Sequence, residues 1–544
     1  MTSRHWQASY GNTAKEINAD AYRSVVALMD EAMKRYADKP AMRCAGQTLS
    51  YADLDRLSRD FAAYLQNKLG VKKGDRIAVM TPNLLAFPIA FLGIIRAGAI
   101  QANVNPLYTP RELEHQLNDA GVETIVVFSG VSGTVAEVMA KTKLRNVITN
   151  GVGDGSGKQI PSPPVDARLT GAVSLADALA EGAKLPFTPV DVNGDDLIFL
   201  QYTGGTTGLS KGAALSHRNL VANTEQYKAF MPPQLMEPGQ VIVTAIPLYH
   251  IFALMVNFIT FFSLGADNWL VPNPRDFDGF IDTMKAARPN VFMGVNTLYA
   301  GLVAHPRSKE IDWSRLKLAG GGGAAVIRAV SDKWKAMTGV IIHEGYGLSE
   351  TSPVVSFNPL WITEFSGTTG LPMPSTDVKL MSEAGEAVGI GEAGEICVKG
   401  PQVMKGYWEK PEANVAAFTE DGYFRTGDVG VFDDKGFLKI VDRKKDMIIV
   451  SGFNVYPNEI EAVATACPGV AECACIGVPD EKTGEAVKLF VVRAANATLT
   501  EDDVVAHCRK ELTGYKVPKI VRFVDALPKS TVGKILRREL RDVA

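Results

Sequence analysis

The stretch DLIFLQYTGGTTGLSKG, Asp196–Gly212, decides how this chain is read. An apolar run leads into a loop of glycine, threonine and serine that ends on Lys211, and a helical pattern from Ser216 to Phe230 follows. A run of strand length, a glycine-rich turn and a helix together make one unit of an α/β fold. The loop also has its own chemistry. Glycines let backbone N–H groups approach phosphate oxygens, and hydroxyls and a lysine add donors and charge. It is not a Walker A loop, which needs glycine directly before the lysine, whereas Ser210 precedes Lys211 here. GGTTG alone is equally compatible with a flexible turn.

Outward from this stretch the same punctuation recurs. VIVTAIPLYH (241–250), NVFMGVN (290–296), LKLAGGGG (316–323) and VIIHEGYG (340–347) are apolar runs that close on glycine or polar residues, and Phe277 to Ala287 carries a helical pattern. Strands alternating with helices predict an α/β architecture whose functional loops sit at the carboxyl ends of strands. Near residue 440 the pattern changes. GFLKIVDRKKDMIIVSG holds two apolar runs around a charged break. Beyond it come a helix from Pro457, strands at ACIGVP and AVKLFVVRA, a helix from Glu501 and a strand near KIVRFVD. The expected organisation is a large N-terminal α/β domain of mixed sheets and helices (1–441), a hinge at Asp442–Asp446 and a small mobile α+β C-terminal domain (447–544). Taken alone, the charge run reads as a hairpin turn. Residues 150–195, with GDGSGK and PSPP, read as a surface excursion.

Length and composition bound the rest. A chain of 544 residues exceeds one compact core, which implies at least two domains. A net charge of −3 argues against a nucleic-acid partner. From Val505 to Ala544, ten Lys/Arg stand against four Asp/Glu. That segment reads as a solvated basic surface, or as a contact for phosphates or an anionic membrane. The six cysteines show no CxxC spacing, so reduced thiols in a cytosolic protein are expected in place of a zinc site or disulfide framework. MTSRHWQASYGNTAKE at the N-terminus lacks an apolar signal core. Ile251 to Ala266, the longest apolar run, falls short of the roughly 20 residues a spanning helix needs and is read as buried core. The expected location is cytoplasmic. Peripheral contact with the inner face of the membrane and a homodimer are both compatible with the sequence.

The full loop string closely resembles the signature of adenylate-forming enzymes: acyl-CoA synthetases, luciferases and the adenylation domains of peptide synthetases. That resemblance implies that Thr203, Gly204, Gly205, Thr206, Thr207, Gly208 and Lys211 hold ATP. EGYGLSET (Glu344–Thr351) resembles the family's second nucleotide motif. It implies roles for Glu344, Gly345 and Gly347 in the nucleotide site, Tyr346 on or beside the adenine, and Glu350 with Thr203 on Mg²⁺. A carboxylate and a hydroxyl are the hard oxygen ligands Mg²⁺ takes. Gly320–Gly323 resembles the adenine-pocket wall, where Gly322 and Gly323 leave room for the base. YFRTGD (Tyr423–Asp428) resembles the ribose motif, with Asp428 accepting from the hydroxyls and Arg443 assisting. DRKKD resembles the family hinge with Lys445 at the pivot, and LPKSTVGKILRREL (Leu527–Leu540) resembles the motif carrying the catalytic lysine, here Lys534.

PLYHIFAL (Pro247–Leu254), SGFNVYPNEIE (Ser451–Glu461), NPRD (Asn273–Asp276), GVNTLY (Gly294–Tyr299) and SFNP (Ser356–Pro359) are most similar to bacterial long-chain fatty acid:CoA ligases. The resemblance implies a fatty acid, ATP and coenzyme A as substrates and places His250 beside the acyl carboxylate, although a histidine ending an apolar run is also a common core residue. In one departure, Leu254 stands where some members carry a tryptophan gate. The implied chemistry is adenylation of the fatty acid with release of pyrophosphate, followed by thiol attack and release of AMP, with the small domain rotating about Lys445 between the steps. A medium-chain or aryl acid:CoA ligase is an alternative, as is a non-catalytic nucleotide- or lipid-binding protein. An ATPase or kinase would release ADP in place of AMP.

Overall fold

The computed structural model describes residues 4–158, 160–203, 210–451, 453–530 and 533–542. The apolar runs of the sequence form its strands, and the order of those strands explains why the loops that follow them meet. Among the described residues, one sheet of nine strands has Val241–Thr244, Val291–Gly294, Leu318–Gly321 and Ile342–Gly347 as successive parallel neighbours. A second sheet, of seven strands, sets Thr124–Phe128, Arg76–Met80, Ile100–Asn103 and Leu197–Thr203 side by side, also parallel. These strands are buried on both faces, as expected where helices cover a parallel sheet. Their carboxyl ends carry the phosphate loop, the 247–250 turn and the glycines after 320, which is where an open α/β sheet exposes its loops.

Two sequence expectations change. The loop does not pass straight into a helix. Lys211–Ser216 first forms an antiparallel strand against Leu197–Thr203, with Tyr202 opposite Gly212 and Thr203 opposite Lys211, and the helix His217–Ala229 then starts from a capping box of Ser216 and Asn219. KGAALS is short and rich in small residues, so no period announces it. Residues 150–195 are also more than an excursion. Leu175–Gly182 is a helix with Leu175, Ala178 and Leu179 buried, packed so closely on Tyr51–Asn67 that a Cβ on Gly182 would stand 1.9 Å from the Asp60 carbonyl oxygen. The run after His250 is buried as expected. Ala253–Thr260, including Leu254, forms a π-helix, and among the described residues no helix is long and apolar enough to cross a membrane. All six cysteines are buried and unpaired.

The charged break at 442–446 is not a hairpin. Leu438–Arg443 is the last strand of a four-stranded antiparallel sheet, whereas Ile448–Val450 belongs to a five-stranded sheet with Phe453–Val455, Val470–Asp480, Gly484–Arg493 and Ile520–Phe523. This second sheet has its own core, built from Ile448, Val455, Ile460, Leu489, Val491 and Val504 under the helices Pro457–Thr465 and Glu501–Glu511.

Candidate active site

The glycines and carboxylates of the second nucleotide motif ride on the strand Ile342–Gly347 and the turn after it. Gly347 lies against the Pro353 carbonyl, where a Cβ would come within 2.0 Å, so no larger residue fits. Gly323 has φ +75°, and a Cβ on Gly322 would stand 3.3 Å from the Gly345 carbonyl oxygen, which brings the two glycine motifs together. Tyr346 donates its hydroxyl to Asp428 Oδ2 at 2.7 Å. On the four-stranded sheet Asp428 lies opposite Arg443, and the guanidinium Nε reaches Asp428 Oδ1 at 3.4 Å. Tyr346, Asp428 and Arg443 therefore form one polar edge. Glu344 is buried, and that burial raises its carboxyl to about 8.

Glu350 is buried too. Tyr407, a residue with no motif to announce it, donates its hydroxyl to Glu350 Oε1 at 2.8 Å, and Lys211 Nζ stands 5.3 Å from the centre of the Tyr407 ring. Burial raises the Glu350 carboxyl, opposed by its own backbone N–H and by Tyr407. A buried carboxylate of raised proton affinity is relieved by a cation, and its oxygens suit Mg²⁺, so the donor chemistry fits that ion. Gly204, Gly205, Thr206, Thr207 and Gly208 lie outside the described residues, as does the side chain of Thr203.

His250 is held by amides that sequence reading missed. Asn83 donates to the carbonyls of Thr244 and Ile246 at 3.1 and 3.0 Å and accepts from Leu248 N–H at 2.7 Å. Gln201, two residues before the phosphate loop, donates to the Tyr249 carbonyl at 3.1 Å and accepts from Asn103 at 2.8 Å. An amide set among apolar residues is the one signal that could have flagged them, since an unpaired buried amide is costly. Phe252 N–H donates to His250 Nδ1 at 3.3 Å. Burial, then the charge of Lys534, lower the imidazole to about 4. The ring is thus neutral at physiological pH with its proton on Nε2, which leaves a hydrogen-bond donor at the site.

Lys534 arrives from the C-terminal segment. Its N–H donates to Ser530 Oγ at 3.1 Å and its carbonyl accepts from Ser530 N–H at 2.7 Å. Gly533, with φ +75°, presses on Thr297 of GVNTLY, where a Cβ would stand 2.5 Å from Oγ1. Burial and then Arg443 lower the Lys534 ammonium to about 8, while Asp428 opposes them. Lys534 is therefore in the field of the Asp428–Arg443 pair, and its own charge reaches His250. Lys445 is exposed between two buried aspartates. Asp442 accepts from Asn458 N–H at 2.7 Å and from Arg537 at 3.3 Å, and Asp446 pairs with Arg541 at 2.8 Å.

The model of the AMP-binding enzyme family matches residues 29–408, and that of the AMP-binding enzyme C-terminal domain matches residues 459–534. A long-chain-fatty-acid–CoA ligase of Salmonella typhimurium is 50% identical over 97% of this chain and 96% of its own length. Another of the same name from Bacillus subtilis is 37% identical over 99% and 98%. Among solved structures, ATP-bound MatB from Rhodopseudomonas palustris superposes with a TM-score of 0.84 at 34% identity, covering 96% of this chain and 99% of that one.

Proposed function

The chain belongs to the AMP-binding enzyme family, and from that membership we propose that Lys534, His250, Glu350, Asp428 and Arg443 serve one site that runs both of its half-reactions. The reaction is ATP-dependent ligation of a long-chain fatty acid to coenzyme A through an acyl adenylate, with release of AMP and pyrophosphate. One observation carries the assignment of roles. Gly533, next to Lys534 at the far end of the sequence, packs against Thr297 of GVNTLY, where the charge of Lys534 reaches His250 and the Asp428–Arg443 pair acts on the lysine.

A carboxylate is a weak acyl donor because oxide is a poor leaving group. In the first half-reaction a fatty acid carboxylate oxygen attacks the α-phosphorus of ATP, and the bond to the pyrophosphate oxygen breaks. Negative charge grows on the α-phosphoryl oxygens, and the Lys534 ammonium is the donor aimed at it. Such fixed donors are worth roughly 3–4 kcal/mol each in the transition state. Neutral His250 orients the carboxylate through Nε2–H without protonating it. Glu350 would hold Mg²⁺, which when bound would neutralise phosphate charge. Asp428 accepts from the ribose hydroxyls and Arg443 fixes its rotamer, while Tyr346, tied to Asp428, borders the base. In the second half-reaction the coenzyme A thiolate attacks the acyl carbon and AMP leaves.

Lys534 has no task in that second step, and its segment fills space beside Thr297. We therefore place the domain division at 441 and 447, with rotation about Lys445. Ile449 and Phe453, which flank the SGFNVYPNEIE start, are 49% and 55% exposed in this arrangement. An apolar face left in water supports its use against the large domain after rotation. Separate assays of pyrophosphate exchange and of thioester formation from preformed acyl adenylate test this. Lys534→Ala should lose the first and keep the second, and equal loss of both would reject the assignment.

A further inference from the structure

The segment Met404–Trp408 belongs to none of the motifs read from the sequence, yet it holds Glu350 by its backbone and by its side chain. Met404 N–H donates to the Glu350 carbonyl at 2.7 Å, and the Tyr407 hydroxyl donates to Glu350 Oε1 at 2.8 Å. Among the described residues, the Tyr407 hydroxyl and Glu350's own N–H are the donors to that buried carboxylate. Tyr407 is fixed in turn. Asn414 accepts from its N–H at 2.7 Å and donates to its carbonyl at 3.1 Å, so one amide grips the peptide at both ends. Gly406 makes the approach possible, with φ +146° and a Cβ position only 2.9 Å from Asn414 Nδ2. The neighbours of Tyr407 pair with the strand Lys211–Ser216. Ala214 N–H donates to the Gly406 carbonyl at 2.9 Å, and Trp408 N–H donates to the Gly212 carbonyl at 2.8 Å. The ring is half-buried, and the Lys211 ammonium lies 5.3 Å from its centre, within cation–π range.

We propose that Tyr407, pinned by Asn414, is a positioning residue that aims the Glu350 carboxylate at the Mg²⁺ of the bound nucleotide. The proposal rests on the reading of Glu350 as a Mg²⁺ ligand. An ionised carboxylate has about four acceptor sites. Tyr407 and the N–H of Glu350 occupy part of that capacity and set the plane of the group, so its open lone pairs keep one direction. Direction matters because Mg²⁺ demands near-octahedral geometry. A free glutamate side chain would have to be ordered when the metal arrives, and a phenol already in place removes that cost. Partners of this kind, one bond out from a metal, orient the ligand and tune its basicity. Tyr407 therefore acts on the metal-bound nucleotide and leaves the bare nucleotide, the fatty acid and coenzyme A alone.

Calorimetric binding of an ATP analogue with a methylene bridge between its α- and β-phosphates tests it, on the full chain, in Mg²⁺ and again in EDTA. The ratio of the two affinities is the gain the metal brings. Tyr407→Phe, which deletes a single oxygen, should cut that gain roughly tenfold or more, the scale of a lost outer partner of a metal ligand. Its affinity in EDTA should match wild type. Asn414→Ala should shift the gain in the same direction, and Asn414→Asp, which keeps the acceptor for Tyr407 N–H, should stay closer to wild type. In turnover, the KM for Mg²⁺ at saturating ATP should rise in Tyr407→Phe while the KM values for fatty acid and coenzyme A hold. Glu350→Gln in the same calorimetry separates the two readings. A lost gain in Glu350→Gln with a full gain in Tyr407→Phe overturns the role of Tyr407 alone. A gain kept by both variants overturns the Mg²⁺ reading of Glu350 and the proposal together. Equal weakening of Tyr407→Phe with and without metal means a structural role and also overturns it. If Tyr407→Phe does not fold, Asn414→Ala decides, and an unchanged gain there overturns the proposal.

Discussion

At the scale of single residues, Lys534 and His250 make opposite demands, and the same burial serves the neutral His250 while it works against the charge of Lys534. Burial and Arg443 bring the Lys534 ammonium down to about 8, so its charge is lost as pH rises through that value. Charge is what the transition state needs. The kcat/KM for ATP in pyrophosphate exchange, which reports the free enzyme, should therefore fall on the alkaline side with an apparent pKa near 8. Lys534→Arg should push that limb to higher pH, and a limb unchanged in Lys534→Arg would show that another group titrates. Lys534→Ala should slow exchange by about a hundredfold or more. His250 has the opposite sign. With its imidazole lowered to about 4 it stays neutral throughout the range above, so no acid limb between about pH 5 and 7 should come from it. The pH profiles of wild type and His250→Gln should run parallel there, at different heights. A limb near pH 6 that disappears in His250→Gln would mean the ring titrates at an ordinary value.

At the scale of elements, the stretch 442–446 carries the most consequence. Its neighbours belong to different sheets, so its backbone is the covalent link between two cores. Asp442 stays in the ladder of the four-stranded sheet, opposite Val429, while its carboxylate takes Asn458 N–H and Arg537 from the far side. Rotation at Lys445 would break those bonds, which makes them a latch for the arrangement seen here. Asp442→Ala should lower pyrophosphate exchange roughly tenfold, as expected for a lost charge-assisted bond, and leave thioester formation from preformed acyl adenylate near wild type. Lys445→Pro, which fixes φ at the pivot, should do the reverse. Equal effects of either substitution on both half-reactions would contradict rotation. The elements themselves were mostly legible. Phe277–Ala287 and Glu501–Glu511 start where their sequence patterns do, because each has an acidic or threonine cap followed by an apolar period. The strand Lys211–Ser216 and the helix Leu175–Gly182 escaped, being short segments of small residues that take their form from packing.

At the scale of the molecule, what sequence could convey was a set of motifs in order. What it could not convey was who supports them. Asp428, Arg443, Tyr346 and Lys534 stand in strings with recognisable chemistry, and they share one edge in space. Asn83, Gln201 and Tyr407 act through hydrogen bonds to residues 48 to 165 positions away, and no local pattern encodes such a partner. The basic C-terminal segment shows the same limit. Lys516, Lys519, Lys529, Arg537 and Arg541 each pair with an acid outside it, so much of its charge is met within the small unit. That favours a structural surface over a lipid contact. The chain should bind anionic vesicles weakly at physiological salt, and strong flotation with such vesicles that falls as salt is raised would contradict it. The central claim is the two-step ligation of a long-chain acid. Quantifying nucleotide and acyl products from ATP, coenzyme A and fatty acids of increasing length tests it most directly. AMP and acyl-CoA should form one to one, with turnover efficiency rising into the long-chain range. Release of ADP, or AMP formation without a coenzyme A thioester, would contradict the account.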